Sequence, residues 1–361
     1  MNIYLGSLIM FMFAGLAVYA RLGNRLKGLG FTFMVFAFAS AAFTFPACFV
    51  SLGGFELKRT IVPLVQLILF GMGMTLSFDD FRRVLKMPRA VFIGMGLQFT
   101  IMPFVGFLCA RVFGLEAGVA AGLVLIGSCP GGVASNVIVY LARGNVPLSV
   151  TMTACSTMIS PLMTPLAMKL LAGTYVPIAF LPMMVSIFKM IILPLVVGLL
   201  IHRYLPRLAK VLVKVLPSLA MLSICIIIGV TIALSRDDLL KVGLALFGAA
   251  ACHNALGYLL GYQAARFFRM SARDCRTVAI EVGIQNGGMA TGLAFNILQS
   301  TQAAMAAATF GPWSAITSSM LASCWRKREG RSAVELQGAG AAELISSDPD
   351  KSLCCGTAEA E

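Results

Sequence analysis

The sequence carries little charge, since Asp, Glu, Lys and Arg make up only 12% of its 361 residues. A soluble globular domain has about 25% charged residues. Here the charge gives way to apolar runs of about 20 residues, each long enough to cross a bilayer core of about 30 Å. With 59% hydrophobic residues and a mean hydropathy of +0.89, the composition predicts an all-α polytopic membrane protein whose surroundings are the lipid bilayer.

Histidine and paired cysteines are also scarce. The chain has two histidines, His202 and His253, and none of its ten cysteines forms a CxxC pair. Most of the cysteines lie inside apolar runs, where Cys behaves as a small hydrophobe. The pattern supports neither a disulfide framework nor a zinc site, and no cofactor is predicted.

The net charge of +13 comes from Lys and Arg in short gaps between apolar runs. A nucleic-acid interface would gather these residues on one surface, so no nucleic-acid partner is predicted, and no obligatory protein partner is inferred. The bias toward alternate gaps places the C-terminus in the cytoplasm and, with eleven spans, the N-terminus outside. The basic gaps include residues 21–27, 82–89, 143, 203–214, 266–276 and 326–328.

Eleven apolar runs predict eleven membrane spans. The first belongs to residues 1–30, interpreted as an extra N-terminal helix and linker. Residues 327–361, rich in Gly, Ala, Ser and acidic side chains, are predicted to form a disordered cytoplasmic tail. The spans are expected at about 2–20, 31–50, 61–76, 90–112, 117–142, 148–171, 177–201, 215–234, 240–265, 277–299 and 302–325.

Two short motifs recur at nearly the same separation along the chain. Residues 77–84 (SFDDFRRV) resemble residues 235–242 (SRDDLLKV), and residues 131–135 (GGVAS) resemble residues 287–291 (GGMAT). Five spans lie between equivalent points, so a duplicated second half would be inverted in the membrane, as in many secondary transporters. Chance recurrence of Asp-Asp and Gly-Gly is the alternative.

The second pair of motifs falls inside two apolar runs. In the run at 117–142, Pro130 removes a backbone hydrogen-bond donor, and the two glycines that follow it make the helix easier to interrupt. Residues 285–288 (QNGG) do the same in the other run. Backbone freed at membrane depth must be buried in protein or line a cavity, and paired breaks point to a binding site. Two ordinary kinked helices are the alternative.

Glu281 is the one acidic residue well inside an apolar run, out of fifteen in the chain. A carboxylate at the bilayer centre costs at least about 2.5 kcal/mol, which makes it a functional-site candidate. In a helical register it shares a face with Gln285, four residues later. A proton carrier, or a structural pair with Lys189, is the alternative for this carboxylate.

Neutral side-chain oxygens occur in the neighbouring runs, at Ser135, Asn136, Ser149, Thr153 and Gln98. Together with one carboxylate and freed carbonyls they form a set that suits sodium, whereas a transition metal would ask for His or Cys. Hydroxyl groups that bond their own helix, and amides that join neighbouring helices, are the alternatives.

Four stretches resemble the bile acid:sodium symporter family, namely residues 128–136, 281–286, 140–146 and 253–258. The resemblance covers about residues 31–326 and implies two inverted five-helix repeats arranged as a panel and a core. The panel would comprise about 31–76 and 177–234, and the core about 90–171 and 240–325. Two discontinuous helices would cross inside the core, and the first span would be additional.

The resemblance also implies two sodium sites and a substrate site. One sodium site would use Ser135, Asn136, Ser149, Thr153 and Glu281. The other would use Gln98, Glu281, Gln285 and the backbone carbonyls of Val282 and Ile284. The substrate anion would lie near Gly132, Val133 and Asn286, where amides of a broken helix meet its carboxylate.

Two departures from the family pattern concern the substrate. Val133 stands where some relatives carry threonine, and residues 313–317 (WSAIT) replace a His-Asn or Met-Asn pair. Bile acid itself is therefore not implied.

The function predicted from these features is sodium-coupled symport of a small organic anion by alternating access, without an enzymatic step. Sodium acts as the coupling ion. A cation/proton antiporter, with Glu281 carrying the proton, and a sodium-independent organic-anion carrier are the alternatives. The expected location is the cell (inner) membrane, with an organelle envelope as the other option.

Overall fold

The computed structural model of the chain describes residues 3–22 and 30–346, and it is almost entirely helical. The first helices are α1 (Ile3–Leu22), α2 (Gly30–Thr44), α3 (Ala47–Val50), α4 (Ile61–Thr75), α5 (Phe78–Lys86), α6 (Pro88–Val112), α7 (Ala117–Ser128), α8 (Ser135–Leu141) and α9 (Val146–Leu171). They are followed by α10 (Phe180–Ile187), α11 (Leu193–Tyr204), α12 (Pro206–Leu234), α13 (Arg236–Phe267), α14 (Ala272–Gly283), α15 (Gly287–Asn296) and α16 (Thr301–Ser346). Two antiparallel strands, β1 (Ser51–Leu52) and β2 (Phe55–Glu56), form a short hairpin.

Seven helices of the described chain are long and apolar enough to cross a membrane, which supports a multi-span membrane protein. The other predicted spans are broken, short, or rich in Ala, Ser and Thr, as in α16. The seven are Ile3–Ala20, Leu57–Thr75, Pro88–Val112, Val146–Thr174, Phe180–Tyr204, Pro206–Leu234 and Arg236–Phe267.

Proline accounts for two irregularities that hydropathy does not reveal. Pro46 follows the end of α2 and begins the turn into α3. Pro194 lacks the amide that would continue the helix ladder, and the chain widens into a π turn at Phe188–Ile192 just before it. The predicted spans at 31–50 and 177–201 are therefore each built from two helical pieces.

The two Asp-Asp motifs both lie at the start of a helix. At α5, the Asp80 carboxylate accepts hydrogen bonds from the backbone N–H and the hydroxyl of Ser77, both at 2.8 Å. Pro88 begins a new helix soon afterwards, so α5 is a separate amphipathic helix that the span prediction missed. The second motif opens α13 at Arg236 and continues as one long helix, since no proline interrupts it.

The prediction of a disordered tail over 327–361 is wrong for residues 327–346. There α16 continues to Ser346. The segment is rich in Ala, Glu and Leu, which favour helix, and lengthening an existing helix needs no new nucleus. Residues 347–361 lie outside the described residues, as do residues 1–2 and the linker 23–29.

The broken helices α7 and α14 lie at the centre of the bundle. Every residue of α7 from Val119 to Ser128 is buried, and so is every residue of α14 from Thr277 to Gly283. Gly122 permits this packing, since a Cβ there would lie 2.3 Å from the carbonyl oxygen of Ala303 on α16. The helices α6, α9 and α16 pack around α7 and shield it from the surface.

Several basic gaps meet at one end of the bundle. Arg89 donates to the carbonyl of Phe268 at 2.8 Å, and Arg273 donates to the carbonyl of Gly144 at 3.1 Å. The segments before α6, after α13, before α9 and before α14 therefore lie on the same side, as the charge pattern predicts.

Candidate cation-binding site

The two interrupted helices meet backbone to backbone at their breaks. Gly131 and Gln285 form an antiparallel bridge. The amide of Gly132 donates to the carbonyl of Ile284 at 3.0 Å, and the amide of Asn286 donates to the carbonyl of Pro130 at 3.0 Å. The alternative of two ordinary kinked helices is therefore wrong.

Side chains from neighbouring helices bind the carbonyls that the first break frees. Thr164 of α9 donates to the carbonyl of Ser128 at 2.7 Å, and Gln98 of α6 donates to the carbonyl of Cys129 at 3.0 Å. Buried backbone groups need such partners. The neighbouring helices therefore supply hydrogen-bond partners for the backbone groups that the break exposes.

Five of the predicted oxygen-bearing residues converge on one point. Glu281 of α14 is 2% exposed and accepts hydrogen bonds from Ser135 at 2.5 Å, from Thr153 at 2.8 Å, and from Ser149. Ser149 Oγ also lies 2.8 Å from Oδ1 of Asn136. The cluster joins α8, α9 and α14, three helices that are separate in the sequence.

This cluster contains more acceptor oxygens than there are hydroxyl protons to form hydrogen bonds with them. Each Ser or Thr hydroxyl has one proton, yet Ser149 Oγ faces both Asn136 Oδ1 and Glu281. Thr153 Oγ1 lies 2.8 Å from Glu281, 3.0 Å from the carbonyl of Ser149 and 3.4 Å from Ser135 Oγ. A bound cation would satisfy such oxygens without a proton.

The proposed structural pair between Glu281 and Lys189 is wrong. Lys189 is exposed, and its backbone carbonyl accepts a hydrogen bond from Gln66 at 3.4 Å. The ion pairs Arg59–Glu56, Arg82–Asp79 and Arg83–Asp80 all join residues three apart in the sequence, and none of these three involves Glu281. The described part of the chain contains no group of three His, Cys, Asp or Glu side chains that would hold a metal.

A second polar cluster lies on the other side of the break, around Gln98 and Gln285. Gln98 is 2% exposed, and its amide nitrogen donates to Oε1 of Gln285 at 2.9 Å. Gln285 in turn donates to the carbonyl of Val282 at 2.6 Å. Oε1 of Gln98 has no partner in the described part of the chain, although a buried acceptor left unpaired costs about 1–3 kcal/mol. A cation there would remove this cost.

The predicted substrate residues fall into two groups. The amide of Gly132 is already bonded to Ile284, so it does not face an incoming anion, and Val133 is half-buried. Asn286 caps α15 by accepting from Met289 N at 3.0 Å, and its amide nitrogen makes no hydrogen bond to the described residues. Asn286 is therefore the group best placed to donate to a ligand.

Sequence reasoning missed a polar network that supports the second break. Asn254 of α13 donates to the carbonyl of Gly283 at 2.9 Å and accepts from Thr317 of α16 at 2.6 Å. Tyr258, one turn further along α13, donates to the carbonyl of Ser314 at 3.2 Å. Residues 313–317, which depart from the family pattern, therefore still contribute polar contacts through Ser314 and Thr317. The resemblance at 253–258 was the one signal that pointed to this network.

Comparisons with known proteins identify the family of this chain. The model of the sodium bile acid symporter family matches residues 62–242. Over 305 residues the chain is 36% identical to the uncharacterized sodium-dependent transporter YocS of Bacillus subtilis (strain 168), covering 84% of this chain and 93% of that protein. It is 37% identical over 268 residues to the probable sodium/metabolite cotransporter BASS1, chloroplastic, of Arabidopsis thaliana, covering 74% of this chain and 67% of that protein. It is 32% identical over 236 residues to the ileal sodium/bile acid cotransporter of Oryctolagus cuniculus, covering 64% of this chain and 67% of that protein. The chain therefore belongs to the sodium bile acid symporter family.

Proposed function

We propose that this protein is a sodium-coupled transporter, specifically a symporter that carries a small organic anion. The observation that carries the proposal is the buried carboxylate of Glu281, surrounded by hydroxyl and amide oxygens where two broken helices meet. Relatives named as sodium-dependent transporters support sodium as the coupling ion. Transport needs no chemical step, so the protein is a transporter rather than an enzyme.

The two polar clusters correspond to two sodium sites that share Glu281. The first is the cluster of Glu281 with Ser135, Asn136, Ser149 and Thr153. The second would combine Glu281 with the pair of Gln98 and Gln285 and with the carbonyls of Val282 and Ile284. Each of these carbonyls already accepts an amide hydrogen, and its second lone pair remains for a cation.

The fold supports two inverted five-helix repeats. Both halves carry a long helix after an Asp-Asp motif, then a helix interrupted at a glycine pair, then another long helix. In that arrangement α7–α8 and α14–α15 are the crossed discontinuous helices of the core. Helices α2, α4, α10–α11 and α12 form the panel, and α1 is additional.

The anion would bind at the start of α15, between core and panel. Asn286 supplies its amide nitrogen, and the N-terminus of a helix favours negative charge. A Cβ on Gly288 would lie 3.9 Å from Ile68 and 4.0 Å from Val65, so this turn adjoins α4 of the panel. An anion bound at this turn would therefore contact both the core and the panel.

An apolar cavity nearby supports an organic rather than an inorganic anion. The cavity has a volume of about 180 Å³ and lies between α2, α12, α13 and α16, with Trp313 in its wall. Nε1 of Trp313 has no hydrogen-bond partner among the described residues. Gly311, two residues earlier on α16, approaches Gly287 at the start of α15.

Coupling follows from the shared geometry. Sodium bound at Glu281 neutralises the carboxylate and ties α8 and α9 to α14, which orders the breaks where the anion binds. By linkage, sodium then raises the affinity for the anion, and the anion raises the affinity for sodium by the same factor. Movement of the core against the panel would expose the bound sodium and anion alternately to the two sides of the membrane.

A thermal-shift screen of purified protein against organic acids, in sodium and in potassium, tests the proposal. We expect at least one acid to raise the melting temperature in sodium but not in potassium, and the same acid to be taken up by proteoliposomes along a sodium gradient. Stabilisation that is equal in both salts would indicate a sodium-independent carrier. Proton flux without any organic substrate would indicate an antiporter.

The hydroxyl ligands on α9 provide a graded test. We expect Ser149→Ala and Thr153→Val each to raise the sodium concentration for half-maximal stabilisation about tenfold, because each removes one oxygen from the cluster. Thr153→Ser keeps the oxygen and should change this value little. Ser160→Ala is the matched control, since that buried hydroxyl bonds Thr157 of its own helix at 2.7 Å. Equal effects at positions 153 and 160 would argue against a sodium ligand at 153.

A further inference from the structure

The turn between α8 and α9 is joined directly to the first turn of α14. The side-chain amide of Asn145 donates to Oδ1 of Asp274 at 2.8 Å, and its backbone N–H donates to the hydroxyl of Thr277 at 2.7 Å. Arg273 adds a third bond, from Nε to the carbonyl of Gly144 at 3.1 Å. Three hydrogen bonds therefore link segments that lie far apart in the sequence.

Both partners sit within two helical turns of the Glu281 cluster. Asn145 caps α9 by accepting from Leu148 N at 3.2 Å, and Ser149 and Thr153 follow it one and two turns later. Asp274 precedes Glu281 by two turns of α14. At 1.5 Å of rise per residue, the link is about 6 Å from Ser149 and about 12 Å from Thr153 along α9, and about 10 Å from Glu281 along α14.

Each atom of this link has a defined role. Oδ2 of Asp274 accepts from the Ser271 hydroxyl at 2.7 Å, which leaves Oδ1 for Asn145. Gly144 has no room for a side chain, because a Cβ would lie 2.8 Å from Oγ1 of Thr277. The contact is therefore close at the backbone as well as at the side chains.

We propose that Asn145 and Asp274 are positioning residues for the sodium site. Their hydrogen bond fixes the register of α9 against α14, and so the separation between the hydroxyls of Ser149 and Thr153 and the carboxylate of Glu281. The inference rests on the proposed function. Binding sites need their ligands within about 0.5 Å of the productive geometry, so a small slip between the two helices weakens the site.

Exchanging the two side chains tests the proposal. Asn145→Asp preserves the helix cap, since Asp caps as well as Asn, but it sets two carboxylates against each other. We expect it to raise the sodium concentration for half-maximal thermal stabilisation about tenfold, as expected for loss of a hydrogen bond to a charged group. Asp274→Asn keeps a hydrogen-bonding pair and should have a smaller effect.

The double variant Asn145→Asp/Asp274→Asn restores one carboxylate and one amide in exchanged positions. We expect it to return the half-maximal sodium concentration to within about twofold of the wild-type value, since the lost bond is remade. The measurement uses sodium chloride titrated into purified full-length protein in potassium chloride. The melting temperature in potassium alone reports any purely structural effect.

The outcomes separate the two proposals. A wild-type protein that sodium does not stabilise overturns the proposed function and this inference together. If sodium stabilises the wild type but Asn145→Asp lowers only the melting temperature in potassium, the link is merely structural and the inference is wrong. Failure of the double variant to recover sodium affinity also overturns it.

Discussion

Replacing Glu281 with glutamine is expected to abolish the stabilisation of the purified protein by sodium. The substitution keeps the size of the side chain but removes the charge that both proposed sites share. Leaving buried oxygens without that charge costs about 3 kcal/mol or more, which corresponds to at least about a hundredfold loss of sodium affinity. Glu281→Ala should have the same effect and should also abolish sodium-dependent uptake while the protein remains inserted in the membrane.

Glu116→Gln is the matched control for this experiment, because Glu116 is exposed in the turn before α7. It should leave the response to sodium unchanged. Normal sodium-dependent uptake by Glu281→Ala would remove the central assignment. Whether Glu281→Ala is still inserted and folded is judged by the amount of protein recovered from the membrane and by its melting temperature in potassium.

Gly131→Ala is expected to impair the site from the opposite side of the break. A Cβ at this position would lie 2.8 Å from Oε2 of Glu281. The carboxylate cannot simply move away, because Ser135, Ser149 and Thr153 hold it by hydrogen bonds. We expect a loss of sodium affinity of at least about tenfold, since overpacking a tight site costs about 1–3 kcal/mol. The measurement is again the sodium titration of melting temperature.

Gly96→Ala serves as the control for this variant. Gly96 lies on the surface of α6, and a Cβ there would meet no atom within 4 Å. The substitution should leave sodium binding intact and stabilise the helix slightly. If both variants bind sodium as the wild type does, Glu281 does not occupy the position against Gly131 that the cation site requires.

The sequence predicts the spans and the breaks because both depend on local composition. Apolar runs of sufficient length mark the helices, and the glycine pairs at 131–132 and 287–288 mark the interruptions. Glu281 could be identified because a carboxylate is costly in an apolar run. The predicted ligands then meet in space since the two breaks pair through Gly131 and Gln285.

The missed features depend on partners that are distant in the chain. Nothing in the local sequence around Asn145 indicates Asp274, and nothing around Asn254 indicates the carbonyl of Gly283. Likewise α5 is amphipathic rather than apolar, so hydropathy alone does not reveal it. The helix at 327–346 was missed because its composition resembles a polar tail, although Ala, Glu and Leu favour helix.

Direct measurement of radioactive sodium binding to purified protein tests the central claim, that one carboxylate serves two sodium ions. We expect the wild type to bind two ions per chain in a saturable manner that potassium does not compete with, and Glu281→Gln to bind neither. Undiminished sodium binding by that variant would contradict the claim. Retention of one ion would show that only one of the sites uses Glu281.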